Sequence, residues 1–187
     1  MDAHEGAIAL LQRLVDGYPE DATAVHAAAR DEALPAAARK LLIGALNYGL
    51  DALDLFPDHF RGLGLADDAI VLRLAAAQAL ATGTRGPALE RLAREARDLR
   101  PILEELMEPL ERMVAALPDR EVHGRTADRI LADPTARQAF HAEVQRDIAR
   151  SKPGRIDTSG FGPAGTVDEL RKMIRHGLKR GGWLGAT

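Results

Sequence analysis

The sequence predicts an all-α protein, and three observations carry that expectation. Ala, Leu, Arg and Glu dominate the 187 residues, and these side chains lose little entropy in a helix. Apolar residues recur at intervals of three and four, the period of one helical face. Alternating β-branched runs, the mark of a half-buried strand, do not occur.

Each element follows in order. Ile8, Leu11, Leu14 and Val15 predict a first helix from about His4 to Tyr18, with Pro19 as its stop and a second, Ala-rich helix after Asp21. Pro35 suits a first helical turn, and Leu41, Leu42, Ala45, Leu46 and Tyr48 extend that helix to about Leu50. A Pro/Gly loop leads to a helix over Asp67 to Thr82, closed by the Thr82–Pro87 break. Ala88 to Leu99 and Pro101 to Leu117 read as amphipathic helices, with Pro101 and Pro109 leaving room for a kink. Thr126 to Ala132 and Pro134 to Arg150 follow, the latter capped by Asp133. Residues 151–165 are Gly/Pro-rich and aperiodic, so they read as a linker between an all-α domain at 1–150 and a tail at 166–187. Thr166 to Arg180 is the last amphipathic helix, with Thr166 and Glu169 spaced as a capping box.

Composition removes several function classes. Lys+Arg 25 against Asp+Glu 28 gives a net charge of -3, so a broad nucleic-acid surface is not expected. Cysteine is absent, which removes disulfides, thiolate metal sites and cysteine nucleophiles and fits a cytoplasmic protein. The N-terminus has no basic segment before an apolar one, so no signal or transit peptide is read there. Arginine outnumbers lysine 21 to 4 in an Ala-rich chain, a bias that suggests a GC-rich bacterial genome. Serine occurs only at Ser151 and Ser159, in the linker, and Gly62-x-Gly64 lacks a third glycine and a preceding strand. A serine hydrolase and the familiar nucleotide-binding loops are therefore not expected. The six histidines are scattered without paired helical spacing and read as surface or packing residues. No cofactor is implied.

The segment from Asn47 to Leu72 is the most distinctive part of the chain. Asp54, Pro57, Asp58, Gly64, Asp67 and Asp68 stand in an order and spacing that resemble the YkvA-like family, the domain-of-unknown-function family numbered 1232. The resemblance covers roughly Arg39 to Ala81, and Asp51-Ala52 replaces the family's usual Ser-Pro. It implies a helical hairpin, no established activity, and membrane association in some members. With it, the expected architecture is a helical bundle built around this hairpin, at about 39–81, with a C-terminal amphipathic helix on a Gly/Pro linker.

Two readings of the hairpin's corner stand side by side. Asp54, Asp58, Asp67 and Asp68 offer hard oxygen ligands suited to Mg²⁺ or Ca²⁺, with His59 nearby. The alternative, which we favour because no EF-hand spacing is present, is helix capping by Asp67 or Asp68 plus ion pairs to Arg61 and Arg73. Leu55, Phe56 and Phe60, with Tyr48, gather much of a supply of only 4 Phe, 2 Tyr and 1 Trp. They are read either as a plug for the hairpin's own end or as a partner-binding knob.

The tail supplies a second surface. Val167, Leu170, Ile174 and Leu178 form an apolar stripe, Arg171, Lys172, Arg175, Lys179 and Arg180 the other faces, and Trp183 follows. Such a helix suits an apolar groove, in cis or in a protein partner, with the acidic Glu104-Glu105-Glu108-Glu111 stretch as a cis candidate. An anionic membrane surface is its rival. The expected function is a non-enzymatic helical interaction or adaptor module that binds a protein. A divalent-metal-dependent enzyme using the aspartate cluster and peripheral membrane association through the tail are the alternatives.

Overall fold

The computed structural model describes residues 2–51, 55 and 62–184. Among these it is all-α, and the sole bridge-like pairing is the isolated Val122–Arg125 contact. The helices are α1 (Ala3–Arg30), α2 (Ala36–Tyr48), α3 (Ala66–Ala81), α4 (Pro87–Asp98), α5 (Arg100–Leu103), α6 (Met107–Ala116), α7 (Ala127–Ala132), α8 (Pro134–Arg150) and α9 (Gly162–Arg180).

The centre of the bundle is α3. Ala69, Ile70, Val71, Leu72, Leu74, Ala75, Ala76 and Ala79 are all buried, on every side of the helix, which is the pattern of a helix surrounded by others. It packs against α2, α4 and α1. Leu46 of α2 and Ile70 and Leu74 of α3 are buried where the two helices meet the rest of the core. By contrast α4 buries only Leu89, Leu92, Ala93 and Ala96 and turns its charges outward.

Three local expectations are corrected. The first helix does not end at Pro19: α1 runs through it to Arg30. A mid-helix proline forfeits a backbone hydrogen bond and costs about 3 kcal/mol or more. Burial of Tyr18, Ala22 and Val25 on either side of Pro19 offsets that loss. Second, the expected helix over Pro101 to Leu117 is broken, because a tight turn at Glu104–Leu106, entered through Glu104 at φ 50, separates α5 from α6. Third, α9 begins at Gly162 with Pro163 in its first turn, so Thr166 lies inside the helix and is not its cap. Its Oγ1 donates to the Gly162 carbonyl at 2.8 Å. The cap at Asp133 is as expected, with Asp133 accepting from the Thr135 and Ala136 amides, and Thr126 caps α7 by accepting from the Arg129 amide.

Residues 151–161 form an irregular strap against α1. The Gln12 side chain donates to the Gly154 carbonyl at 3.1 Å and accepts from the Ile156 amide at 2.8 Å. The strap also lies against Gly62, where a Cβ would fall 2.1 Å from the Arg155 carbonyl oxygen. Beyond it, α9 packs on α1 and joins the same hydrophobic core.

Candidate functional site

The corner between α2 and α3 is built from the end of one helix and the start of the next. Tyr48, on the last turn of α2, is fully buried. Its hydroxyl donates to Asp67 Oδ2 at 2.8 Å, and the Leu55 amide approaches both the Tyr48 hydroxyl, at 2.9 Å, and Asp67 Oδ2, at 3.0 Å. Burial, then the charges of Asp67 and Asp68, push the Tyr48 phenol well above its usual range, so it stays a donor. The result is a three-way clasp that fixes Leu55 to the helix pair. Gly49 leaves room beside it, since a Cβ there would meet the Tyr18 hydroxyl at 3.1 Å and Asp68 Oδ1 at 3.3 Å.

This placement changes the role expected of Asp67. The residue preceding α3 is Leu65, which offers no side-chain cap, and Asp67 sits within the first turn and reaches back to the corner. Arg73 is likewise engaged elsewhere. Buried in α3 at 1% exposure, it donates to Asp21 of α1 at 2.6 Å, to Glu95 of α4 at 2.8 Å and to the Ala69 carbonyl at 2.9 Å. Arg91 completes the ring by pairing with both Asp21 and Glu95. Four charges thus close on one another and tie α1, α3 and α4 together.

Of the other residues singled out in the sequence, Asp54, Asp58, Phe56, Phe60, His59 and Arg61 lie outside the described residues. Asp67 is buried and Asp68 half-buried. Among the described residues no group of three or more His, Asp or Glu side chains is placed to hold a metal ion. Leu55 is half-buried beneath α9, against Gly177, where a Cβ would come within 2.4 Å of Leu55 Cδ2 and 3.2 Å of its Cα. On α9, Leu170, Ile174 and Leu178 are fully buried. Arg171 donates to the Ile102 carbonyl at 2.7 Å and to Glu104 at 2.6 Å, and Arg175 pairs with Glu105. Trp183 rests partly buried on the core, its carbonyl facing Arg112.

Sequence reasoning missed the Asp21–Arg73–Glu95–Arg91 ring and a histidine pair, His26 with His141. The ring had one local signal, an arginine in an otherwise apolar helix. The histidines, 115 positions apart, had none.

The bundle with its clasped α2–α3 corner defines a helical-hairpin class of protein. Residues 38–74, α2 and the first half of α3 with the corner between them, match the family model described as "Protein of unknown function (DUF1232)", so the chain carries that family's segment. No curated protein and no solved structure matches the chain. No helix among the described residues is long and apolar enough to cross a membrane.

Proposed function

We propose that this chain is a non-enzymatic helical interaction module, an adaptor that recognises a protein through the α2–α3 corner, whose sequence carries Phe56 and Phe60 on either side of the motif aspartate Asp58. The observation that carries the reading is the clasp. Asp67, a buried carboxylate of the motif, accepts from a phenol and a backbone amide of its own segment, which is how a scaffold residue is used. The scarce aromatic residues Phe56 and Phe60 follow the clasped Leu55 in sequence, and aromatic side chains contribute heavily to interfaces.

The tail supports the same reading more than a lipid one. Arg171 and Arg175 face Glu104 and Glu105, and the apolar stripe between them is buried, so the helix uses in cis the surface that a bilayer would need. In-cell photo-crosslinking tests the proposal. A photoreactive residue at position 60 should give one discrete adduct with another protein, whereas the same residue at Gln145, on α8, should not. Equal, diffuse labelling from both positions would count against recognition at the corner.

A further inference from the structure

A second polar feature lies where α1 meets α8. His26 Nε2 and His141 Nδ1 are 2.8 Å apart, so one ring donates to the other, and Phe140 stands edge-on to His26 with ring centroids 6.5 Å apart. Beside the pair opens a groove of about 540 Å³ lined by Arg30, Pro134, Arg137, Gln138, His141 and Ala142. Small-ligand sites span about 300–1,000 Å³, so the groove has room for a small molecule.

The groove's charge is one-sided. The Arg30 side chain has no ion pair or hydrogen bond among the described residues. Arg137 is fixed at the rim by donating to the Ile130 and Leu131 carbonyls at 3.3 and 2.5 Å, and its one nearby carboxylate is Glu32 at 3.9 Å. Arg39, from α2, donates to the Ala29 carbonyl at 3.1 Å. Burial, then His26, Arg30, Arg137 and Arg39, bring His141 down to about 4, and burial and Arg30 lower His26. Both rings are therefore neutral at pH 7. His141 lines the groove and His26 does not. When His26 Nε2–H donates to His141 Nδ1, the His141 proton resides on Nε2, the ring nitrogen that has no partner among the described residues.

We propose that this groove binds a small organic oxyanion, a carboxylate or phosphate monoester, through Arg30, Arg137 and His141 Nε2–H, with its apolar body against Pro134 and Ala142. Guanidinium groups suit oxyanions because their planar N–H fork matches the oxygen spacing. His26 is a positioning residue that sets the tautomer of His141. An anion also offsets the positive field that Arg30, Arg39 and Arg137 impose, so its binding raises the proton affinity of His141, and through that ring it tightens only as the pH falls below about 5. The site is separate from the proposed recognition corner, and neither claim depends on the other.

Histidine-ring NMR on the full chain, titrated with phenyl phosphate at constant ionic strength, tests this. The expected result is saturable shifts of His26 and His141, with the His141 pKa raised by roughly a unit. Arg30→Gln should weaken the binding about tenfold, an exposed change that leaves the core untouched. Ring ¹⁵N shifts should report the Nε2–H tautomer of His141 in the wild type and its loss in His26→Leu, whose fold is checked by circular dichroism. No saturable shift, or identical shifts in Arg30→Gln, would overturn the site. Inorganic phosphate binding as tightly as phenyl phosphate would overturn the role given to the apolar floor.

Discussion

The family segment and the α1–α8 groove handle their buried polar groups in opposite ways. In the segment, Arg73 is closed in by Asp21 and Glu95, and Asp67 Oδ2 accepts from Tyr48 and the Leu55 amide, so these donors and acceptors meet within the fold. At the groove, His26 and His141 share one hydrogen bond and face Arg30, Arg39 and Arg137, and among the described residues Glu32, 3.9 Å from Arg137, is the carboxylate paired with these arginines. One helix, α1, contributes to both, through Asp21 and through His26 and Arg30. Closed polar sets rigidify a core; an open one leaves interaction capacity for something outside the chain.

The largest expected effect comes from opening the closed set. Arg73→Met strands Asp21, only 2% exposed, with Arg91 as its remaining partner, and should cost about 3–5 kcal/mol in urea denaturation. A loss below 1 kcal/mol would mean that the ring contributes little. At the corner, Tyr48→Phe removes the hydroxyl that meets both Asp67 and Leu55 and should cost about 1–3 kcal/mol. Gly177→Ala pushes a methyl into Leu55 and should destabilise by about 1–3 kcal/mol, with chemical-shift changes centred on residue 55.

The groove should show itself through pH. Its histidines have folded pKa values below the unfolded 6.5, so the stability they contribute is complete above pH 6.5. It is lost as the pH falls through the window from 6.5 to about 4, where the unfolded chain takes up protons that the folded one refuses. The contribution is of order 1 kcal/mol after allowance for the partial exposure of His141. Acid melts of His141→Gln should therefore be flatter than wild type across that window, and parallel curves would remove the pair from the account.

How much of this was legible follows from the range of each interaction. Helix faces were readable because apolar spacing is local: Leu11, Leu14, Leu42 and Leu46 went where their period placed them. Pro19 misled because its local cost is visible in sequence, while the burial of Tyr18, Ala22 and Val25 that offsets it is tertiary. Thr166 misled because Pro163, one turn earlier, is an equally good start. Asp67 was placed at the opening of α3 correctly, yet its partners come from Tyr48 and Leu55 across the corner, which spacing cannot reveal. The ring around Arg73 and the histidine pair join positions 52 and 115 apart.

The claim that the motif's aspartate is a clasp is tested most directly by thermal melting of wild type and Asp67→Ala with and without millimolar Mg²⁺ or Ca²⁺. The account predicts that the variant melts lower, having left the buried Tyr48 O–H without its acceptor and the Leu55 amide with only the Tyr48 oxygen, and that neither cation moves either curve. A cation-dependent rise in the wild-type melting temperature that disappears in Asp67→Ala would contradict it and make the corner a metal site.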